Sequence, residues 1–368
     1  MIMKKHSKHG EIIKPFGGKF HRNEFSFVGA PCEVIQQLSK QIAQKLEPNL
    51  NVGYVDASHG NNQNLEVFSS VYTDMIIHHQ LQFSANDSEY KMRSLFQAND
   101  LVLINGNHFN AEKQMVIINS KKEESLSRKL DRLSNIVAVI LDEGESKVFD
   151  FLKEKLENVP IFKIGEIEMI AALIQGEGVN RKPKLKGLVL AGGKSLRMGH
   201  DKGAIAYHGI PQREFMADLL SNFCDDVFLS VRKEQELQSS YPTIKDTFLE
   251  MGPFGGILSA FKQDPNAAWF TVATDIPFVD QQALNKLVEN RNLSKIATCF
   301  HNSKTGFPEP LITIWEPRAY PAMLRFLGDG YNCPRKVLIN CDVEEIEVPS
   351  EKVFTNINTP EDLNKIDI

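Results

Sequence analysis

The sequence predicts two α/β domains in tandem, and three observations carry that prediction. Short apolar runs alternate along the whole chain with segments of helical apolar spacing, the pattern of strands buried in a mostly parallel sheet and covered by helices. The chain has 368 residues, room for two domains of common size. A polar, aperiodic stretch at 176–186, with two glycines and a proline, interrupts the alternation near its middle. We therefore expect a first domain over 1–177, a linker over 178–185 and a second domain over 186–368.

In the first half, 25–28, 51–55, 101–104 and 136–141 read as strands, and 31–46 as a helix with Glu33 in its first turn. Beyond the linker, 187–191 is an apolar run that ends in glycines and reads as a buried parallel strand. It is followed by a helix over 211–223, a strand over 226–231, a helix over 255–261 and a strand over 269–273. A helix over 281–290 and strands over 296–300 and 311–315 complete the alternation.

Composition narrows the function classes. The hydrophobic fraction of 42%, charged fraction of 24% and formal net charge of −5 are ordinary for a globular protein, without the basic excess of a nucleic-acid binder. No apolar run approaches the length of a membrane span, and the lysines near the N-terminus are followed by no apolar stretch of a secretion signal. The five cysteines are scattered and never spaced as CxxC, which argues against a disulfide framework or a structural zinc site. A cytoplasmic protein with free thiols is the expectation. His6, His9 and His21 lie close in sequence, but a solvated terminus is the simpler reading than a metal site.

The most informative segment is Leu190-Ala191-Gly192-Gly193-Lys194-Ser195-Leu196-Arg197-Met198-Gly199-His200-Asp201-Lys202. A buried strand empties into two glycines, whose bare backbone lets N–H groups approach phosphate oxygens. Lys194, Arg197 and Lys202 add three cations within one loop, which suits a triphosphate. The spacing is neither that of the Walker A loop nor that of the dinucleotide fingerprint. A second signal is Thr274-Asp275-Ile276-Pro277 at the end of the strand 269–273. Asp275 there points toward the crevice where open α/β sheets bind ligands. Its hard oxygens suit Mg²⁺, and Asp280 is the better candidate for the N-cap of the next helix.

The loop 190–202 resembles the signature of molybdenum cofactor guanylyltransferases, within the wider nucleotidyltransferase superfamily of sugar-nucleotide and cytidylyl transferases. The resemblance covers the second half of the chain, from Lys186 onward. It implies a Rossmann-like nucleotidyltransferase fold, that of the nucleotide-diphospho-sugar transferases. It also implies transfer of GMP from GTP to Mo-molybdopterin, with Mg²⁺ as the cofactor. By this resemblance Leu190, Ala191, Gly192, Gly193, Lys202, Asp246 and Asp275 bind nucleotide. Lys202, Arg197 and Asp275 are catalytic, and Asp275 is the metal ligand. Asp246 is placed by the segment Gly252-Pro253-Phe254-Gly255-Gly256 that follows it, since a similar aspartate precedes such a segment in the family. The family's asparagine after the second strand is replaced here by Ser230-Val231-Arg232-Lys233, which leaves base or ribose recognition open.

Near the C-terminus, Asn356-Ile357-Asn358-Thr359-Pro360-Glu361-Asp362-Leu363 resembles a segment of the same family, and Asn356 and Asn358 are thereby assigned to the second substrate. Thr359 followed by Pro360 and two acids reads as a helix start in its own right. The segment 307–311 resembles the family's (His/Glu)-Pro-Leu, and Arg335 and Lys336 are candidates for a pterin phosphate. A cytidylyltransferase or a sugar-phosphate nucleotidyltransferase would share the loop, and a cofactor carrier without catalysis is the reading from another class.

The first half reads as a degenerate P-loop NTPase-like domain. Phe27-Val28-Gly29-Ala30-Pro31-Cys32 has the strand, turn and helix of such a domain without its lysine and Ser/Thr. The run Asp100-Leu101-Val102-Leu103-Ile104-Asn105-Gly106 resembles a segment of the small GTP-binding adaptor protein of the same pathway, with Asn105 where that protein has glutamate. No GTP hydrolysis is expected of this half. The pterin, its own catalytic half, and molybdoenzymes or their chaperones are the partners that the resemblance leaves open.

Overall fold

The structure, a computed structural model, describes residues 23–46, 50–57, 70–75, 78–83, 94–156, 158–179, 182–193 and 202–357. The chain divides into two compact units, Met1–Arg181 and Lys182–Ile368.

The first unit contains β1 (Glu24–Val28), α1 (Cys32–Lys45), β2 (Val52–Val55), β3 (Ser70–Asp74), β4 (His79–Phe83), β5 (Leu101–Asn105) and β6 (Lys113–Ile118). These are followed by α2 (Glu123–Ser127), β7 (Ile136–Leu141), β8 (Ile161–Lys163) and α3 (Ile167–Ile174). Six strands form a parallel sheet in the order β2-β5-β1-β6-β7-β8, and β3 and β4 pair antiparallel apart from it. Residues of these strands alternate between two apolar layers, as a strand buried on both faces requires. Phe25, Phe27, Leu103 and Ile117 face Ile35, Leu38 and Ile42 of α1 and Ile170 and Ile174 of α3. Val28, Val116, Ile118 and Val139 face Leu126, Leu133 and Leu152 on the other side. The turn of α3 continues as a π-helical turn, Gln175–Val179, although its glycines read as loop in the sequence. The buried Lys113 explains this: its ammonium donates to the Glu177 carbonyl and lies 3.6 Å from the Glu177 carboxylate, tying the segment to the first unit.

The second unit contains β9 (Leu185–Leu190), α4 (Gln212–Ser221), β10 (Asp226–Val231), β11 (Thr243–Lys245), α5 (Pro253–Gln263), β12 (Ala268–Ala273) and α6 (Gln281–Glu289). It continues with β13 (Ala297–Asn302), β14 (Phe307–Trp315), α7 (Ala319–Gly328), α8 (Pro334–Asn340) and β15 (Glu344–Glu347). The seven-stranded sheet has the order β11-β10-β9-β12-β14-β13-β15. Only β14 runs against its neighbours, antiparallel to both β12 and β13. One face carries α4 and α6, where Met216, Leu220, Leu284 and Leu287 meet Val189, Leu229, Phe270 and Ile312. The other face carries α5, α7 and α8, where Ile257, Phe261, Met323 and Leu338 meet Leu188, Trp269 and Trp315.

Helix starts follow the local chemistry. Asp280 caps α6 by accepting from the Ala283 amide at 2.8 Å, so Asp275 carries no capping duty. Gly252 enters α5 at φ +55°, a conformation that disfavours a Cβ, and Pro253 takes the first helical position. The buried pair Arg291–Glu316 is bidentate, at 2.6 and 3.0 Å, and Arg291 also donates to the Pro183 carbonyl at 3.2 Å. It closes the far edge of this unit onto the residues that lead into β9.

Candidate functional site

The carboxyl ends of β9, β10 and β12 open onto one cleft of about 840 Å³. Its floor is the end of β9: Leu190, Ala191, Gly192 and Gly193 all line it. The loop is held against β10, since the Ala191 amide donates to the Ser230 carbonyl at 3.0 Å and a Cβ on Gly192 would lie 3.3 Å from the Arg232 amide nitrogen. A side chain there would push the loop away from its neighbour, while the bare backbone faces the cleft. Lys194 and Arg197 lie outside the described residues. The chain returns at Lys202, in the 3₁₀ turn Lys202–Ala204, and Lys202 lines the same cleft.

Asp275 faces it from the turn after β12. Burial pushes its carboxyl above the ordinary range, and the charge of Lys202 pulls it back. The two residues therefore share one electrostatic environment. Oδ1 of Asp275 is shielded from solvent and has no hydrogen-bond partner among the described residues. A buried carboxylate oxygen in that state costs free energy unless a cation or donor meets it, and Mg²⁺ is a fitting occupant. Among the described residues no group of three or more His, Cys, Asp or Glu could hold a metal. One carboxylate with water and phosphate oxygens is the arrangement in which Mg²⁺ is held beside nucleotides.

Asp246 follows β11 and stands on the opposite wall with Ser230, Arg232, Lys233 and Glu234. Burial raises its carboxyl to about 6, while the Ser230 hydroxyl, donating at 3.3 Å, lowers it. Leu249, Glu250, Gly252 and Pro253 complete this wall. The close packing of α5 under the loop depends on absent side chains: a Cβ on Gly256 would sit 2.5 Å from Ser230 Oγ.

Three further residues join the site: Thr274 and Glu309 lie in segments that the sequence had marked, and Tyr207 does not. Thr274 lines the cleft and donates from Oγ1 to the Leu190 carbonyl at 3.4 Å, joining two strand ends. Tyr207 has its phenol raised by burial and by the charge of Asp275, so it neighbours that carboxylate. Glu309 lies on β14, which pairs antiparallel with β12 as far as Val272↔Ile312. Burial raises its carboxyl, the Arg335 guanidinium lowers it, and Asp275 raises it further. Arg335 donates to the Pro308 carbonyl and to Glu309, each at 3.3 Å, and the Lys336 ammonium lies 4.6 Å from the centre of the Tyr331 ring. No motif spacing marks these contacts. They arise from register and from an antiparallel strand.

Asn356 is exposed, and Asn358 with the expected helix start at 359–360 lies outside the described residues. Between them the buried Ile357 donates its amide to the Asp275 carbonyl at 2.9 Å. In the first unit Asn105 donates to Asp56 at 2.8 Å, and His6, His9 and His21 lie outside the described residues.

With this geometry in place, comparisons add relatives. A "Molybdenum cofactor biosynthesis bifunctional protein" of Synechocystis sp. is 37% identical over 185 residues, which are 50% of this chain and 53% of that protein. The chain thus spans about half the length of that relative. A "Probable molybdenum cofactor guanylyltransferase" of Nostoc sp. is 29% identical over 187 residues, 49% of this chain and 88% of that protein. The crystal structure of "Molybdopterin-guanine dinucleotide biosynthesis protein A" from Archaeoglobus fulgidus is 25% identical, with a TM-score of 0.43, and the match covers 49% of this chain and 95% of that one. Residues 187–344, from the floor of the cleft to the last strand of the sheet, match the family of the MobA-like NTP transferase domain.

Proposed function

We propose that the second unit is a molybdenum cofactor guanylyltransferase, which transfers GMP from GTP to Mo-molybdopterin and releases pyrophosphate. The observation that carries this reading is the meeting of Lys202, Asp275 and the Gly192–Gly193 backbone in one cleft. The relatives' names agree with it.

In the reaction a phosphate oxygen of the pterin forms a bond to the α-phosphorus, and the bond from that phosphorus to the β-phosphate oxygen breaks. No side chain needs to form a covalent bond, so the protein's work is positioning and charge compensation. The amides of Gly192 and Gly193 and the Lys202 ammonium hold the phosphates. Arg197, outside the described residues, is assigned by the family resemblance to charge compensation at the departing pyrophosphate. Asp275 would hold Mg²⁺, which when bound would offset negative charge at the transferring phosphorus. Asp246, when ionised, accepts from N–H or O–H donors of the nucleoside. Asn356 and Asn358 contact the second substrate, whose approach lies on the side of Glu309.

For the first unit, the same proposal is a P-loop-derived adaptor domain that binds a partner and does not hydrolyse GTP. Support comes from its parallel sheet with β1 inside it, and from the turn Gly29-Ala30-Pro31-Cys32, which lacks lysine, serine and threonine. The proposed division keeps 1–177 and 186–368 as the two domains. Among the described residues no helix is long and apolar enough to cross a membrane, and a reducing cytoplasm suits the five free cysteines.

The test is incubation of the chain with purified Mo-molybdopterin and GTP or CTP, read as pyrophosphate release and as the mass of the dinucleotide. GTP is expected to yield product and CTP not. Lys202→Ala and Asp275→Ala should each lower kcat/KM by about a hundredfold or more. Turnover at the wild-type rate in either variant would refute the site assignment.

A further inference from the structure

We infer that the strap 350–357 sets the Asp275 carboxylate for its cation, acting through the Ile357 amide. This rests on the reading of Asp275 as the cation's ligand. The argument begins with a mismatch. Among the described residues one shielded carboxylate oxygen of Asp275 has no partner, yet the turn that carries it is fastened on several sides. The preceding residue is tied to Leu190 by the Thr274 hydroxyl at 3.4 Å. Two residues on, the Pro277 carbonyl lies 3.0 Å from Nε2 of His208. Asp275 itself is fastened by the Ile357 N–H at 2.9 Å. Such a turn holds the side chain in place to receive an occupant at that oxygen.

The strap is anchored well enough to act as the reference. Val353 and Ile357 are buried, and the Phe354 ring meets that of Phe300 edge-on at 6.3 Å. The Lys352 ammonium lies 4.3 Å from the centre of the Phe278 ring, on the same turn as Asp275. Asn356 points outward, so the contact from this strap to the Asp275 backbone is made by the main chain of its neighbour. Mg²⁺ demands near-ideal geometry from its ligands, and a partner that orients a ligand governs affinity without touching the ion. Ile357 is thus a positioning residue, and its contribution is a backbone donor that most substitutions retain and proline removes.

The experiment compares Ile357→Pro with Ile357→Ala in the full chain. The readout is water-proton relaxation enhancement, which reports the protein-bound Mn²⁺–GTP complex. Ile357→Pro should weaken that complex by about tenfold or more, in line with the loss of a ligand's orienting partner. Binding of GTP in EDTA should stay within about twofold, and Ile357→Ala should stay within about threefold for both. A folded Ile357→Pro variant that binds Mn²⁺–GTP like wild type overturns the inference, as does an Ile357→Ala variant that loses as much as the proline. If the proline variant does not fold, Phe354→Ala takes its place: a selective loss of about threefold or more in the metal complex supports the strap, and an unchanged complex overturns it. Asp275→Ala separates the two levels. If it too binds Mn²⁺–GTP like wild type, the ligand reading fails. If it loses binding while Ile357→Pro does not, only the strap inference fails.

Discussion

At Asp246 a single side chain joins binding to pH. Its carboxyl titrates near 6 because burial disfavours the charged form. If the ionised form accepts hydrogen bonds from the nucleoside, GTP affinity falls as pH drops through about 6. Asp246→Asn should flatten that dependence while binding more weakly above it, as calorimetric titration across pH 5–8 would show. The stability effect has the opposite direction. A carboxyl raised in the folded state from 3.8 to about 6 binds more protons there than in the unfolded chain between those values. Its contribution is therefore full below the unfolded value and is lost as pH rises through about 6. A wild-type melting temperature that rose relative to Asp246→Asn across this window would contradict the assignment.

Among the elements, α5 shows how glycines let a helix pack beneath a ligand loop. A Cβ on Gly255 would collide with the Phe248 carbonyl, a backbone atom that cannot swing aside. One on Gly256 would meet the Ser230 hydroxyl, which can rotate. Gly255→Ala should therefore cost about 1–3 kcal/mol and lower the melting temperature by several degrees, with Gly256→Ala the milder. Equal melting temperatures for Gly255→Ala and wild type would remove the steric argument. Much of this architecture was legible because α5, β9, β10 and β12 are local apolar patterns and the loop 190–202 is contiguous. The direction of β14 was not legible, since alternation of apolar residues is the same read either way. Tyr207 escaped because only folding of the chain brings it within the influence of Asp275, and for Glu309, inside the marked segment 307–311, the pairing with Arg335 was not legible. Ile357 escaped because its contact uses the main chain, while the expectation there concerned the asparagine side chains beside it. The glycines of 175–179 read as loop, whereas the chain there makes a π-helical turn whose Glu177 carbonyl accepts from the distant Lys113, a contact that no local pattern shows.

Across the whole molecule, each unit holds its own apolar core, with sheet residues packed against helices of the same unit. A chain beginning at Lys182 should fold cooperatively, keep the Arg291–Pro183 contact and retain GTP binding within about threefold of the full protein. A truncated chain that aggregates or loses GTP would show that the first unit completes the second. The reversed strand has one more consequence. Because β14 runs backwards, the tight turn at 303–306 lies at the same end of the sheet as the carboxyl ends of β9, β10 and β12, and Asn302 accepts from the Lys304, Thr305 and Gly306 amides to close it. Insertions or deletions there should leave the pairing of Cys299 with Thr313, and the floor of the cleft at the end of β9, where they are. Under the proposed function, the hairpin is a place where the chain can change length at the cleft's end of the sheet while the glycine loop after β9 keeps its support from β10.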